Sequence, residues 1–199
     1  MSDARKHAPS AQRNRDPILG ILRGILPPSG TVLEVASGTG EHIVHFAKAL
    51  PDLTFRPSDA NPANLESIAA WIGATGIPNV LPPIRLDVTA ENWPVAADAL
   101  VCINMIHIAP WAAAEGLMRG AARLLRGGQP LFLYGPYKRG GMHTAESNEA
   151  FDADLRARDA AWGVRDLEAV EELAEANGFD APRIFDMPAN NLSLVFTRR

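Results

Sequence analysis

The chain has 199 residues, of which 47% are hydrophobic, and its 19 Lys and Arg against 23 Asp and Glu give a net charge of −4. This length predicts one domain, spanning residues 1–199, with a core that needs no cross-links. The acidic balance argues against binding of nucleic acid or an anionic membrane through overall charge. The single cysteine, Cys102, excludes an intramolecular disulfide and a cysteine-based zinc site, and we expect no metal. No stretch resembles a signal peptide or a membrane span, which predicts a soluble cytoplasmic protein.

Residues 1–28 are predicted to be an N-terminal extension followed by a helix. Residues 1–15 are polar and show no periodicity, so we expect the first few to be loose. Four apolar residues between positions 18 and 25 then fall at helical spacing. Asp16 followed by Pro17 is typical of a helix start. The sequence therefore predicts a helix that begins at Pro17 and packs on the main body.

Beyond residue 28, short apolar runs alternate with helical patterns, which is typical of an open, mostly parallel sheet with helices on both faces. The predicted strands lie at residues 31–36, 54–59, 80–87, 99–108, 130–134, 183–186 and 192–197. The run 99–108 is almost wholly apolar, as expected of a strand buried on both faces. The last two strands are predicted to form a hairpin. Ligands of such sheets bind beyond the carboxyl ends of the strands, so the residues that follow strands are the candidates for function.

The first strand ends in an acid and a glycine loop, Glu34-Val35-Ala36-Ser37-Gly38-Thr39-Gly40-Glu41. Glycines let the backbone pass close to a ligand, although a plain strand-to-helix turn would use them as well. The dinucleotide fingerprint requires a third small residue three positions after Gly40, where this chain has Ile43. Glu34 would repel a pyrophosphate but would accept hydrogen bonds from an ammonium group. The loop therefore favours a cofactor with an amino-acid end over NAD.

Two more acids end the next two predicted strands. Asp59 lies 19 positions after Gly40, a spacing typical of acids that accept hydrogen bonds from ribose hydroxyls. Asp87 ends the third strand, where it would accept from an adenine amino group while Val88 packs on the ring. The alternative for Asp87 is a turn-forming role. Acids that end three successive strands beside one glycine loop favour a nucleoside cofactor.

These residues resemble the motifs of class I S-adenosylmethionine-dependent methyltransferases. More narrowly, residues 14–19, 104–108 and 146–152 resemble a set of small methyltransferase-like proteins that includes methyltransferase-like protein 26, a former domain-of-unknown-function family. The resemblance covers most of residues 12–199. It implies a Rossmann-like class I methyltransferase fold, with a mostly parallel seven-stranded sheet, an antiparallel C-terminal hairpin strand and helices on both faces. It also implies S-adenosyl-L-methionine as the cofactor and S-adenosyl-L-homocysteine as its product.

The resemblance further implies a set of cofactor-binding residues: Glu34, Ser37, Gly38, Gly40, Asp59, Asp87, Val88 and Asn104. Glu34 and the Ser37-Gly38 backbone would hold the methionine end, and Asp59 would hold the ribose. Asp87-Val88 would frame the adenine. Asn104 would lie beside the amino group and the sulfonium.

Methyl transfer requires alignment of the nucleophile with the methyl group, and a general base only where the acceptor is protonated. No catalytic residue is assigned. Five side chains at or after strand ends are candidates for the substrate pocket: His107, Tyr134, Tyr137, His143 and Asn148. Residues 138–165 are predicted to be an insertion that forms the pocket or its cover. Its charges nearly cancel, which favours a small-molecule acceptor over nucleic acid. Arg13 and Asn14 are either a lid over the site or part of a mobile tail.

The leading hypothesis is thus a methyltransferase that acts on a small hydroxyl- or carboxyl-bearing molecule by in-line displacement. One alternative is a non-catalytic module that binds S-adenosylmethionine and acts through a protein partner. A second alternative, a nicotinamide-dependent oxidoreductase, is disfavoured by Glu34 and Ile43. The sequence leaves the acceptor and the oligomeric state open.

Overall fold

The computed structural model describes residues 3–199 and contains one seven-stranded sheet, one three-stranded sheet and six helices in that range. The helices are α1 (Pro9–Ile25), α2 (Glu41–Ala49), α3 (Pro62–Thr75), α4 (Trp111–Leu124), α5 (Glu146–Arg158) and α6 (Leu167–Ala176). The strands are β1 (Gly30–Val35), β2 (Leu53–Asp59), β3 (Ile84–Arg85), β4 (Ala99–Ile103), β5 (Pro130–Gly135), β6 (Tyr137–Arg139), β7 (Met142–His143), β8 (Arg165–Asp166), β9 (Arg183–Met187) and β10 (Asn191–Thr197). None of these helices is long and apolar enough to cross a membrane.

The main sheet has the strand order β3-β2-β1-β4-β5-β10-β9. Strands β1 to β5 pair in parallel, and β10 pairs antiparallel with both β5 and β9. The predicted α/β fold class, including the C-terminal hairpin, is therefore confirmed. Because the chain proceeds outward from β1 to β3 and then returns to β4, the order reverses between β1 and β4. Ligands of open α/β sheets bind at such a reversal.

The core lies on both faces of the main sheet, because successive residues of a strand point to opposite sides. Leu33 of β1 belongs to a buried cluster with Leu117 of α4. Its neighbour Val32 belongs to a second cluster with Leu22 of α1 and Phe46 of α2. Complete burial of each such side chain contributes about 2 kcal/mol to folding. The two clusters hold β1 in the centre of the molecule and fix the loop that follows it.

The fourth strand is shorter than predicted. The expected strand 99–108 ends at Ile103, and Asn104 then adopts a left-handed conformation with φ 61°. A 3-10 turn, Met105–His107, follows. Met105 and Ile106 of this turn are apolar because they pack in the α4 cluster, where Ile106 is buried. The prediction joined β4 and this turn into one strand, because both are buried and both contribute to the same apolar run.

Helix α1 begins at Pro9, eight residues before the predicted start, and Pro17 lies inside it. Proline is favoured in the first turn of a helix, whereas an internal proline removes one helical hydrogen bond. The earlier start is stabilised by burial: Ala11, Ile18 and Leu22 fall on one helical face and are at most 3% exposed. Asp16 is consequently not a helix cap.

Part of the polar segment before α1 contacts α3. The Lys6 backbone N–H donates to Ser67 Oγ of α3 over 2.8 Å. Trp71 of α3 donates its Nε1–H to the Lys6 carbonyl over 3.0 Å. Lys6 is therefore held against α3, whereas Asp3 and Ala4 are exposed. Residues 1 and 2, at the start expected to be loose, lie outside the described range.

Residues 138–165, the predicted insertion, form the rest of β6, β7, α5 and the start of β8. Strands β7, β6 and β8 make the small sheet. Within the insertion, Leu155 of α5 is fully buried. Asp152 of α5 connects its parts: it accepts a hydrogen bond from Val164 N at 2.7 Å and lies 3.3 Å from Lys138 Nζ. Burial alone would raise the pKa of Asp152, but these contacts outweigh it and lower the pKa.

Replacement of Asp152 by Asn is expected to destabilise the protein by about 2–4 kcal/mol, because the half-buried Lys138 ammonium loses its carboxylate and faces an amide instead. Denaturant unfolding measures the effect. Asp154→Asn on the same helix, at a side chain that is 65% exposed, is the matched control and should change stability by less than about 0.5 kcal/mol. Because the pKa is lowered, the Asp152 contribution is present above about pH 4 and is lost as pH falls. Equal stabilities of the two variants would contradict the role given to Asp152.

Candidate functional site

The glycine loop joins β1 to α2 at the point where the strand order reverses. Gly38 and Gly40 both have left-handed backbones, with φ 58° and 93°. A side chain at Gly38 would meet no atom within 4 Å, so space at that part of the loop is open. A Cβ at Gly40 would lie 2.9 Å from the Ile68 Cα of α3. Packing of α3 therefore accounts for Gly40, whereas Gly38 leaves room for a ligand.

Two serines fasten the end of β1 to the end of β2. The Ser37 N–H donates to the Ser58 carbonyl at 2.8 Å, and the Ser58 N–H donates to Ser37 Oγ at 3.2 Å. Ser58 Oγ donates to the Glu34 carbonyl at 2.9 Å. The Gly38 N–H donates to Asp59 Oδ2 at 3.0 Å. The two backbone N–H groups that the resemblance assigned to the methionine end are thus bonded within the protein.

Glu34 is 2% exposed, and its Oε2 has no hydrogen-bond partner among residues 3–199. Burial raises the pKa of this carboxyl to about 8, and the nearby Asp59 charge adds to the shift. An unpartnered buried carboxyl oxygen is costly unless a donor reaches it. The group therefore suits a cationic donor such as an ammonium group.

Asp59 lies beside Glu34 at the end of β2 and is 6% exposed. Its Oδ2 accepts from Gly38 N, and its Oδ1 accepts from Asn61 N at 2.9 Å. A carboxylate has about four acceptor positions, so these bonds leave capacity for ligand hydroxyls. The same bonds hold the carboxylate in place against the glycine loop.

The third acid, Asp87, forms a turn. It is exposed, and its Oδ1 accepts from Thr89 N at 2.9 Å and Thr89 Oγ1 at 2.7 Å. These hydrogen bonds lower the pKa of Asp87. Val88 is buried in the α4 cluster. This is the alternative that the sequence left open for Asp87, and the adenine contact remains a proposal.

A cavity of about 320 Å³ lies between α1, the carboxyl ends of β4 and β5, and α5. It is lined by Ser10, Arg13, Asn14, Asn104, Tyr134, Pro136, Ser147, Asn148, Phe151, Ala189 and Asn191. Of the predicted substrate-pocket residues, the structure brings Tyr134 and Asn148 to this cavity. Arg13 and Asn14 lie in its wall as part of helix α1. Asn104, predicted to contact the cofactor, also lines it.

Asn14, in the wall of the cavity, connects helix α1 to helix α2. Its Oδ1 lies 2.7 Å from His42 Nε2 on α2, so that nitrogen carries the proton. Burial raises the pKa of Tyr134, and the Asn14 side chain opposes this shift only in part. Tyr134 is therefore a neutral hydroxyl at physiological pH. Burial also lowers the pKa of His42 to about 4, which keeps its imidazole neutral.

The other three substrate-pocket candidates do not line the cavity. His107 and Tyr137 are fully buried, and their rings meet edge to face at 5.0 Å. Burial lowers the pKa of His107 to about 3, and burial likewise raises the pKa of Tyr137. His143 Nε2 lies 3.3 Å from Asp152 Oδ2. These side chains belong to the packing between the main sheet and the insertion.

Several lining residues were not singled out from the sequence. Ser147 and Phe151 lie one helical turn apart on α5, so their side chains fall on the same face of the helix. This spacing was visible in the sequence of residues 146–152 and could have indicated them. Ser10 precedes the predicted helix start and was therefore missed. Asn191 lies in the predicted β9–β10 hairpin, but no local signal shows that this hairpin reaches the cavity.

Glu41, the last residue of the glycine-loop motif, anchors the N-terminal segment. It is 4% exposed, and it accepts from Ala8 N at 2.6 Å and from Thr39 Oγ1 at 3.1 Å. Burial alone would raise the pKa of Glu41, but these hydrogen bonds outweigh it and lower the pKa. The carboxylate thereby fixes the start of α1 over the loop.

Comparison with solved structures shows a Rossmann-like methyltransferase fold. A putative O-methyltransferase from Nostoc punctiforme PCC 73102 superposes with a TM-score of 0.84 at 16% identity, over 98% of this chain and 58% of that chain. An O-methyltransferase family protein from Burkholderia thailandensis gives 0.80 at 16% identity, over 95% and 57%. The S-adenosylmethionine-dependent methyltransferase SibL gives 0.77 at 17% identity, over 95% and 55%. This chain therefore spans a little over half the length of these proteins.

At the level of the family, residues 5–198 match the family described as "Protein of unknown function (DUF938)". The match covers nearly the whole chain, and the protein belongs to this family.

Replacement of Glu34 by Gln is expected to stabilise the ligand-free protein at pH 8. A folded-state pKa of about 8 lies above the unfolded value of about 4.3, so wild-type stability falls as pH rises between these values. The variant has no carboxyl group at this position and therefore keeps its stability as pH rises. At pH 8 its free energy of unfolding should exceed that of the wild type by at least about 1 kcal/mol. Denaturant unfolding at pH 5 and pH 8 tests this, with Glu66→Gln on exposed α3 as the control. A variant less stable than the wild type at pH 8 would contradict the account.

Proposed function

We propose that the protein is an S-adenosylmethionine-dependent methyltransferase that acts on a small-molecule acceptor. The observation that carries the proposal is the buried, unpartnered carboxyl of Glu34 beside Asp59 at the reversal of the strand order. A sulfonium cofactor with an amino-acid end and a ribose has an ammonium group that would pair with Glu34 and ribose hydroxyls that would pair with Asp59. When bound, it supplies a methyl group already activated by the positive sulfur.

The chain's own residues would bind the two ends of this cofactor. Glu34 Oε2 accepts hydrogen bonds from the ammonium group, which gives a buried acid its missing partner. Asp59 accepts from the ribose hydroxyls with the lone pairs that Gly38 and Asn61 leave free. The open space at Gly38 allows the ligand to approach the loop. Ser37 and Gly40 would act through the shape of the loop, while Asp87 and Val88 would frame the adenine.

The cavity beside Asn104 would hold the acceptor. Asn104 belongs both to the proposed cofactor-binding set and to the lining, so it marks where the two ligands meet. Helix α1 covers this cavity and limits the access of water, and alignment of the acceptor with the methyl group then supplies the rate enhancement. Tyr134 and Asn148 would orient the acceptor through neutral hydrogen bonds.

Two comparisons support the proposal. SibL, which shares the fold, is described as S-adenosylmethionine-dependent. The resemblance of residues 104–108 and 146–152 to the methyltransferase-like protein 26 type, with its common cofactor motifs, points to the same activity.

Calorimetric titration tests the cofactor. We expect S-adenosylmethionine and S-adenosylhomocysteine to bind at micromolar concentrations and NAD not to bind. Asp59→Asn should weaken binding at least about tenfold, because it removes hydrogen bonds to a charged acceptor worth about 1.5–3 kcal/mol each. Glu66→Gln is the control and should bind like the wild type.

Failure of the folded wild type to bind either sulfur compound would overturn the proposed function. Binding without transfer of a labelled methyl group to any small molecule of a cell extract would instead favour the non-catalytic module.

A further inference from the structure

The side chains around the acceptor cavity are one cation and a set of neutral groups. The polar ones are the Arg13 guanidinium, four asparagine amides and three hydroxyls, and the others are apolar. Guanidinium, amide and aliphatic hydroxyl groups do not take up protons at neutral pH. The Tyr134 hydroxyl, whose pKa burial raises, stays protonated as well. The Asn148 and Asn191 amide groups already donate to protein oxygens. The Arg13 guanidinium therefore gives the lining its positive charge and its strongest donors.

Arg13 is available to bind that ligand. Among the lining residues, Arg13 is the one charged side chain. It is exposed at the edge of the cavity, on the same helix as Asn14. Like many arginines in the part of the chain that the structure describes, it has no carboxylate within 4.0 Å, so its guanidinium is available to a ligand. In a protein of net charge −4, this cation gives the cavity a local attraction for anions.

We propose that the acceptor is a small carboxylic acid, bound by Arg13 as its carboxylate and methylated on a carboxylate oxygen. The inference rests on the proposed function and names its substrate class. A guanidinium presents two parallel N–H donors that match a carboxylate, and it can hold one oxygen while the other reacts. The cavity, at about 320 Å³, lies at the small end of ligand sites. Phe151 and Pro136 provide apolar surface for a short carbon skeleton.

This reaction requires no proton acceptor. The carboxylate oxygen donates an electron pair to the methyl carbon, and the carbon–sulfur bond breaks with its electrons retained by sulfur. The negative carboxylate becomes a neutral methyl ester, and the positive sulfonium becomes a neutral thioether. No proton is released. The lining therefore suits an acceptor that arrives as an anion, whereas an alcohol would need a base. His107, the histidine predicted near this site, is fully buried outside the cavity.

The test compares two ligands of nearly equal shape, benzoate and benzamide, on protein saturated with S-adenosylhomocysteine. Binding is measured by chemical-shift titration. We expect benzoate to bind at least about tenfold more tightly than benzamide to the wild type, because only benzoate pairs with the guanidinium. Arg13→Gln should remove this preference and Arg13→Lys should restore part of it. Arg23→Gln, at an exposed position of the same helix, is the matched control and should retain it.

Equal binding of the two ligands, a preference that survives in Arg13→Gln, or no benzoate binding would each overturn the inference while cofactor binding remains intact. Loss of S-adenosylhomocysteine binding itself would overturn the proposed function, and the inference with it.

A second measurement identifies the bond that forms. The protein is incubated with methyl-labelled S-adenosylmethionine and the small-molecule fraction of a cell extract, and the products are treated with alkali. A methyl ester releases labelled methanol, whereas a methyl ether or methylamine retains the label. Alkali-stable label, or no transfer by protein that binds the cofactor, would overturn carboxylate methylation.

Discussion

Glu34 lies at the centre of the main sheet, in register with Pro57 of β2 and Val101 of β4. At this depth an ionised carboxylate without a cation would cost several kcal/mol, so the ligand-free protein holds Glu34 as an acid with a pKa raised to about 8. The serine contacts between β1 and β2 fix the surrounding backbone and leave Oε2 without a partner. In the proposed function, this residue destabilises the ligand-free protein and would bind an ammonium group. Such an exchange of stability for binding is common at functional sites.

Helix α1 connects the two halves of the proposed site. Its N-terminal end is tied to the glycine loop, because Glu41 accepts a hydrogen bond from Ala8. One turn further along, Arg13 and Asn14 reach the acceptor cavity. Asn14 also contacts His42 of α2, the helix that follows the loop. Helix α1 therefore contacts both the glycine loop of the proposed cofactor site and the wall of the proposed acceptor cavity.

Local sequence signals predicted the end of the sheet where the site lies, but not the residues that long-range packing brings there. Glu34 and Asp59 lie at the ends of predicted strands, so their positions followed from the strand pattern. Asn104 was placed at the end of the fourth strand, but its left-handed turn is hidden in a longer apolar run. His107 and Tyr137 were predicted to line the pocket because they lie at or after strand ends. They are buried instead, since the insertion folds over them, and no short-range pattern shows which side chains it covers.

The most direct test of the account is the number of protons released when S-adenosylhomocysteine binds at pH 7. The binding enthalpy is measured in buffers of different ionisation enthalpy. With a pKa of about 8, Glu34 is mostly protonated in the ligand-free protein, and it must lose its proton to pair with the ammonium group. We expect the wild type to release about one proton per ligand bound and Glu34→Gln to release none. Tight binding with an enthalpy independent of the buffer would contradict the role given to Glu34.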